Sequence, residues 1–262
     1  MPLFKIRVVS YNIHKGFSLG NMRFMLPELA RSLEPLQADL VFLQETVGEN
    51  HKHKRSHSDW PDVSQFEYLA GESFSHFVYG KNAVYEHGHH GNAILSRHAV
   101  KRWRNIDVST NRLESRGALH CVVEIGGTEV HLVNSHLSLF ERARHRQIAM
   151  IGKLIQDEIP HGSPTIVAGD FNDWRGTAGK AFEHALGVRD AFSLLRGKYA
   201  RSFPSFLPLL TLDRVYFSGI RCLNAQAMNG LPWVRFSDHL PLVVDFGVDF
   251  GVDFGLDFGL ER

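Results

Sequence analysis

The residues that could do chemistry in this chain stand at the ends of short, β-branched runs. One run ends in Ser10-Tyr11-Asn12-Ile13-His14 and a second in Leu43-Gln44-Glu45. Later come Gly91-Asn92-Ala93, Ser115-Arg116-Gly117 and Asn134-Ser135-His136. Gly169-Asp170-Phe171-Asn172-Asp173, Leu212-Asp213-Arg214 and Ser237-Asp238-His239 complete the series. Polar residues capping apolar strands suit a site at a sheet edge, because open α/β sheets bind ligands beyond the carboxyl ends of their strands. Singly, each fragment is ambiguous, since a carboxylate after a strand commonly caps a helix or closes a turn. Jointly they supply Glu45, Asp170, Asp213 and Asp238 for a hard cation and its attacking water. Asn12 and Asn172 add neutral hydrogen bonds, and His136 and His239 can donate to phosphate oxygens or carry protons. Cys/His metal spacing is absent, so oxygen ligation of Mg²⁺ or Mn²⁺ is expected rather than structural zinc.

That chemistry has a clear physical target. A phosphate ester is an anion that repels hydroxide, and its cleavage builds charge on the attacked and leaving oxygens. A cation and fixed donors stabilise that charge, while a carboxylate or imidazole takes the proton of water.

Eight strand-like runs position these groups: Ile6–Ser10, Leu40–Leu43, Ala93–Leu95, Leu119–Ile125, Val130–Asn134, Thr165–Ala168, Val215–Phe217 and Leu242–Phe246. Two helical patterns lie between them. One follows Asn21, a candidate N-cap, with Met25, Leu26, Leu29, Ala30 and Leu33 on one stripe. The other spans about Glu141 to Glu158, with Ile148, Ile151, Leu154 and Ile155 inward and Arg/Glu outward. Gly126-Gly127 between two runs reads as a tight hairpin. Hairpins mixed with helical crossovers imply an α/β fold of mixed sheets covered by helices. No linker divides the chain, so residues 1–246 are read as one domain. Residues 247–262 continue an Asp-Phe-Gly repeat of period four, read as a loosely ordered tail without a catalytic role. The catalytic and glycine-rich loops that give those letters meaning in kinases are missing.

Bulk properties exclude little. Twenty-nine basic and 28 acidic residues give a formal net charge of +1, neither the basic excess of a dedicated nucleic-acid binder nor its opposite. The two cysteines, Cys121 and Cys222, read as small buried hydrophobes. Strand-like sequence begins almost at residue 1 and no apolar run approaches a bilayer's thickness, so the expected compartment is the cytoplasm. Oligomeric state is not legible.

The ordered set SYNIHKG, LQE, GHHGNAILSR, GDFND, LDR and SDHLPL resembles the endonuclease/exonuclease/phosphatase superfamily over nearly the whole chain, Ser10 to Asp245. The resemblance implies that family's four-layered sandwich, two mixed sheets face to face with helices outside. It also implies that Glu45 is the principal metal ligand, with Asn12 beside it and Asp238 contributing. Asp170 would orient or deprotonate the attacking water, and Asn172 would hold that water or a phosphate oxygen. His239 would contact the scissile phosphate with Asp213 fixing its tautomer, and His136 would donate to the phosphate or protonate the leaving oxygen. Whether Asp170 or the His239–Asp213 pair is the base stays open.

Lys15, Asn92 and Arg116 are candidate substrate contacts. The basic run His51-Lys52-His53-Lys54-Arg55-Ser56-His57, with Arg175, would ring the pocket if its loop leaves from the active-site edge, and is otherwise a solvated loop. His87, His89 and His90 read as a polar turn, with an accessory metal site as the alternative. Trp174 could stack on a base, line a lipid-binding rim or simply pack. The expected activity is a phosphodiesterase or nuclease. A lipid- or inositol-phosphate hydrolase in peripheral contact with lipid is the alternative enzyme, and a silent nucleic-acid- or protein-binding scaffold the non-enzymatic one.

Overall fold

Alternation along the first strand decides the layering. In β1 (Phe4–Asn12), Ile6 and Val8 face one apolar cluster while Val9 and Tyr11 face another. A strand buried on both faces needs packing on each side of its sheet. The computed structural model, which describes residues 4–248, supplies both.

Eleven further strands follow: β2 (Leu40–Asn50), β3 (His76–Tyr85), β4 (Gly88–Ser96), β5 (Val100–Asp107), β6 (Gly117–Ile125), β7 (Thr128–His136), β8 (Thr165–Asp170), β9 (Arg189–Asp190), β10 (Asp213–Ser218), β11 (Arg221–Ala227) and β12 (Leu242–Val248). They form two six-stranded sheets, ordered β11-β12-β1-β2-β4-β3 and β5-β6-β7-β8-β10-β9. In each sheet one central pair is parallel, β1 with β2 and β7 with β8, and the other pairings are antiparallel. Parallel neighbours need a crossover. These are supplied by α1 (Leu26–Leu33) and α4 (Glu141–Glu158). Gly126 and Gly127, both at positive φ, turn β6 into β7.

Residues of both sheets, among them Val8, Phe42, Leu119 and Val215, share the central core. On the outer face of the first sheet, Leu26, Leu29 and Leu33 of α1 and Leu69 of α3 (Gln65–Ala70) cover Val41 and Leu43. On the outer face of the second, Ile151 and Leu154 of α4 and Phe182 of α5 (Thr177–Leu186) cover Val133 and Val167. Short helices α2 (His51–Ser56) and α6 (Ala191–Arg196) complete the α-helices of the described residues. This is the four-layered sandwich of two mixed sheets. Among the described residues no helix is long and apolar enough to cross a membrane.

Two local expectations are corrected. Asn21 does not cap α1: it ends a 3-10 turn at φ 56°, and its Oδ1 meets His14 Nε2 at 3.0 Å, while Met25 occupies the N-cap. Arg144, expected outward on α4, is fully buried, with Nη1 donating to the carbonyls of Ser138 and Leu139. The repeat's first copy, Asp245-Phe246-Gly247, belongs to β12, and its copies from Asp249 onward lie outside the described residues.

Candidate active site

The two parallel pairs end at the same edge of the sandwich. Asn12, the last residue of β1, is in register with Gln44 of β2, where their parallel ladder ends, and His136 with Asp170 at the carboxyl ends of β7 and β8. Asp213 opens β10 opposite Asp170, and His239 sits three residues before β12. Each sheet therefore brings half of a polar set to one rim.

Glu45 reaches it through irregular backbone. Its φ is 52°, and the β2–β4 ladder slips between Leu43 and Thr46. A side chain of the opposite sheet secures this break: Asn134 Nδ2 donates to the carbonyls of Leu43 (2.9 Å) and Ala93 (2.8 Å). Asn134 Oδ1 accepts from Gln44 Nε2 at 2.8 Å. The Glu45 carboxylate takes a bond from Asn12 Nδ2 (3.3 Å) and an ion pair from Lys15 Nζ (3.1 Å). Burial opposes its ionisation, but the field of His136 and Lys15 outweighs that and holds it far below the usual carboxylate range.

Asp170 lies at the centre. Its Oδ1 accepts from the Asn172 backbone N–H (2.9 Å) and its Oδ2 from Asn12 Nδ2 (3.1 Å). Oδ2 also faces His136 Nε2 at 3.5 Å and His239 Nε2 at 3.6 Å. His239 Nδ1 meets Asp213 Oδ2 at 2.8 Å, and Ser202 Oγ donates to that same oxygen. Burial opposes the charge on His239, yet the carboxylates of Asp213 and Asp170 lift its pKa to about 10. The same burial, reinforced by Arg116, pushes His136 down to about 4. Asp238 Oδ1 pairs with His14 Nδ1 at 2.8 Å, a hydrogen bond that overcomes burial and keeps its carboxyl below the ordinary range.

These groups surround a cleft of about 430 Å³. Of the residues singled out in the sequence, Lys15, Glu45, Arg116, His136, Asp170, Asn172, Trp174, Asp238 and His239 line it. Asp213 stands behind His239, and Asn12 is buried between Glu45 and Asp170. Asn92 is not among the lining residues: its Nδ2 donates across the sandwich to Gly117 O at 3.1 Å.

Of the cations that could ring the pocket, Lys15 and Arg116 line it, whereas the basic run and Arg175 do not. β2 runs on to Asn50, whose side chain caps α2, so the basic run is carried away from the cleft lining. Lys54 pairs with Asp62, and the His53 and His57 rings pack on Phe17 and Trp60. Arg175 pairs with Glu141. His89 and His90 lie within β4 rather than in a turn. His89 Nδ1 meets the Tyr79 hydroxyl at 3.0 Å, while His90 lines the cleft.

His14, His90, Ser202 and the Gln44–Asn134 pair carried no assignment to the site from sequence. Four of these five, all but Ser202, stand inside quoted motifs, but their roles depend on cross-sheet geometry that spacing does not encode.

Two places could hold a cation. Asp170, Asp213 and His239 offer ligand atoms within 4.8 Å of one another. In that group, however, His239 Nδ1 and Asp213 are already spent on each other. Glu45 fits a hard divalent ion better: it is ionised, it faces the cleft, and its present countercharge is the flexible, part-exposed Lys15 side chain.

The family model for the Endonuclease/Exonuclease/phosphatase family matches residues 9–239. The chain is 43% identical over 244 residues to the "Uncharacterized protein YbhP" of Escherichia coli strain K12, covering 91% of this chain and 95% of the relative. Its fold is similar to that of the human Nocturnin catalytic domain with bound sulfate anion (TM-score 0.71, 23% identity, 92% and 93% of the two chains). It is similar also to D. rerio TDP2 complexed with single strand DNA product (TM-score 0.69, 21% identity, 92% and 98%). At these identities the structural likeness is one of fold.

Proposed function

Because this chain belongs to the Endonuclease/Exonuclease/phosphatase family, we propose that it hydrolyses phosphodiesters with the help of Mg²⁺ or Mn²⁺. The observation that carries this reading is the convergence of Glu45 and Asn12 from one sheet with Asp170, His136 and the Asp213–His239 pair from the other. Glu45 is the principal ligand, with Asn12 fixing its carboxylate. Asp238, already held by His14, is a weaker contributor. The cation, when bound, supplies positive charge to the phosphate oxygens and to the leaving oxygen.

The chain's own groups do the rest. Asp170, held by the Asn172 N–H and by Asn12, is oriented to take the proton as water adds to phosphorus and the P–O bond to the leaving group breaks. His239 lies between two carboxylates, so both its nitrogens serve as donors, one to Asp213 and the other free to turn from Asp170 to a phosphate oxygen. This favours Asp170 over the His239–Asp213 pair as the base. His136, beside it, donates to phosphate, and Arg116 and Lys15 add charge at the entrance.

Hydrolysis of bis(p-nitrophenyl) phosphate is the direct test. Activity should disappear with EDTA and return with Mg²⁺ or Mn²⁺. Undiminished turnover by metal-free protein would overturn the reading.

A further inference from the structure

The catalytic cleft opens between two apolar walls. On one side Leu139 and Trp174 line the cleft, with Phe140 (57% exposed) and Leu113 (85%) beyond them. Glu114 ties this wall together, accepting from Ser138 Oγ and pairing with Arg116 at 3.2 Å, while the Arg144 guanidinium lies 5.1 Å from the Trp174 ring centre. On the other side Phe203 and Leu210 line the cleft and pair with each other at the base of a tight excursion. Its tip exposes Phe206 (62%), Leu207 (55%) and Leu209 (56%). This excursion is clamped to the catalytic motif: Ser205 donates from its backbone to Asp238 O and from its hydroxyl to Ser237 O, both at 2.7 Å. The Phe203 ring stands 5.0 Å from that of His239.

Single exposed apolar residues need no explanation, but several gathered on the loops that line one polar cleft do. We infer that this rim seats the protein on a lipid surface and that the cleft takes the phosphodiester headgroup of an amphiphile. The inference rests on the phosphodiesterase reading and names its substrate class. Charge complementarity favours this occupant. Beside the catalytic groups the cleft offers Lys15 and Arg116, each already paired with a carboxylate, enough for one phosphate. A nucleic-acid groove instead continues its cations along the backbone. Here the walls leading away are leucine-rich, and the basic run of α2 and Arg175 do not line the cleft. Interfacial insertion uses such Leu, Phe and Trp side chains.

The test compares wild type with the triple variant Phe206→Ser/Leu207→Ser/Leu209→Ser, altered only at exposed positions of the excursion. Three substrates are offered with Mg²⁺: bis(p-nitrophenyl) phosphate, single-stranded DNA, and vesicles of equimolar phosphatidylcholine and phosphatidylglycerol. Wild type should sediment with vesicles and cleave their headgroup esters. The variant should lose at least about tenfold in both, because the apolar surface driving insertion is gone. Its turnover of the soluble diester should stay within about twofold, which also reports intact folding. Failure of wild type to sediment, or equal sedimentation of the variant, overturns the inference while soluble-diester turnover upholds the phosphodiesterase reading. A variant that loses DNA cleavage and not vesicle binding makes the rim a base-stacking surface and overturns it too. Vesicle binding with no hydrolysis of any ester would instead leave the surface standing and remove the enzymatic reading.

Discussion

At the scale of single residues, the site sets two histidines in opposite states within one cleft. Both face Asp170 Oδ2, but only His239 has Asp213 behind it. The consequence is a division of labour that substitutions can separate. Asp170→Asn keeps the hydrogen-bonding shape and removes the proposed base, and His239→Ala removes the proposed phosphate donor. Each should lower kcat by ~10²–10⁴-fold, the usual range for groups acting in the transition state. Mg²⁺ affinity should change far more in Glu45→Gln than in either. Near-normal turnover by Asp170→Asn would mean that another group activates water. Glu45, Asp170 and His239 were legible because each follows or precedes an apolar run in a distinctive string. Asn134 and Ser202 were not, because a buried Asn or Ser acquires a role only from the strand that faces it.

At the scale of elements, the strands that carry the site were readable and the edge strands were not. β3, β5 and β11 read HFVYGKNAVY, VKRWRNID and RCLNAQA, and much of each is exposed or half-buried. Such segments lack apolar alternation, and they become strands by pairing rather than by pattern. Two predictions belong here. Asn134→Ala leaves the carbonyls of Leu43 and Ala93 short of a buried donor, at a cost of about 1–3 kcal/mol. It should also depress kcat through Glu45 while the pH profile of the residual activity stays that of wild type. A purely structural role would lower stability alone. The second concerns Asp190, which caps α6 by accepting from Ser193 N (2.7 Å). Burial raises its pKa from 3.8 to about 6. The folded state therefore binds more protons than the unfolded state across that window, and stability falls as pH rises through it. The rise corresponds to about 3 kcal/mol lost by neutral pH. Asp190→Asn retains the cap, so its Tm should exceed that of wild type at pH 7.5 and the gain should shrink at pH 5. Equal gains at both pH values would assign the effect to packing.

At the scale of the whole molecule, the cleft exists only where the two sheets meet, since Glu45 and Asn12 belong to one and Asp170 and His136 to the other. The fold class was legible from hairpins alternating with crossovers, and the family from motif order. The register that brings these ends together was not, because it is set by a core to which both sheets contribute. β12 is part of that core: Phe246 packs on Phe217 across the sandwich, and Asp245 takes the Arg7 guanidinium at 2.7 Å. In this first copy of the repeat, Val244, Phe246 and Val248 share the buried face and Asp245 the other. A four-residue period thus agrees with strand alternation, and the last strand runs through Gly247 and Val248, two residues past its expected end at Phe246.

The same meeting of sheets concentrates four carboxylates, Glu45, Asp170, Asp213 and Asp238, in or directly behind one cleft. Lys15, His14 and His239 offset part of their repulsion. A ligand that binds only the folded state stabilises it, by about 2.7 kcal/mol at one hundred times its Kd. In a chain of this length that amounts to roughly 5–10 °C in Tm. Saturating Mg²⁺ should therefore raise Tm by that order over EDTA-treated protein, with no substrate present. If Glu45 is the principal ligand, Glu45→Gln should abolish the shift. Asp213→Asn should keep most of it, because Asp213 is spent on His239 and Ser202. The reverse pattern would move the cation to the group formed by Asp170, Asp213 and His239.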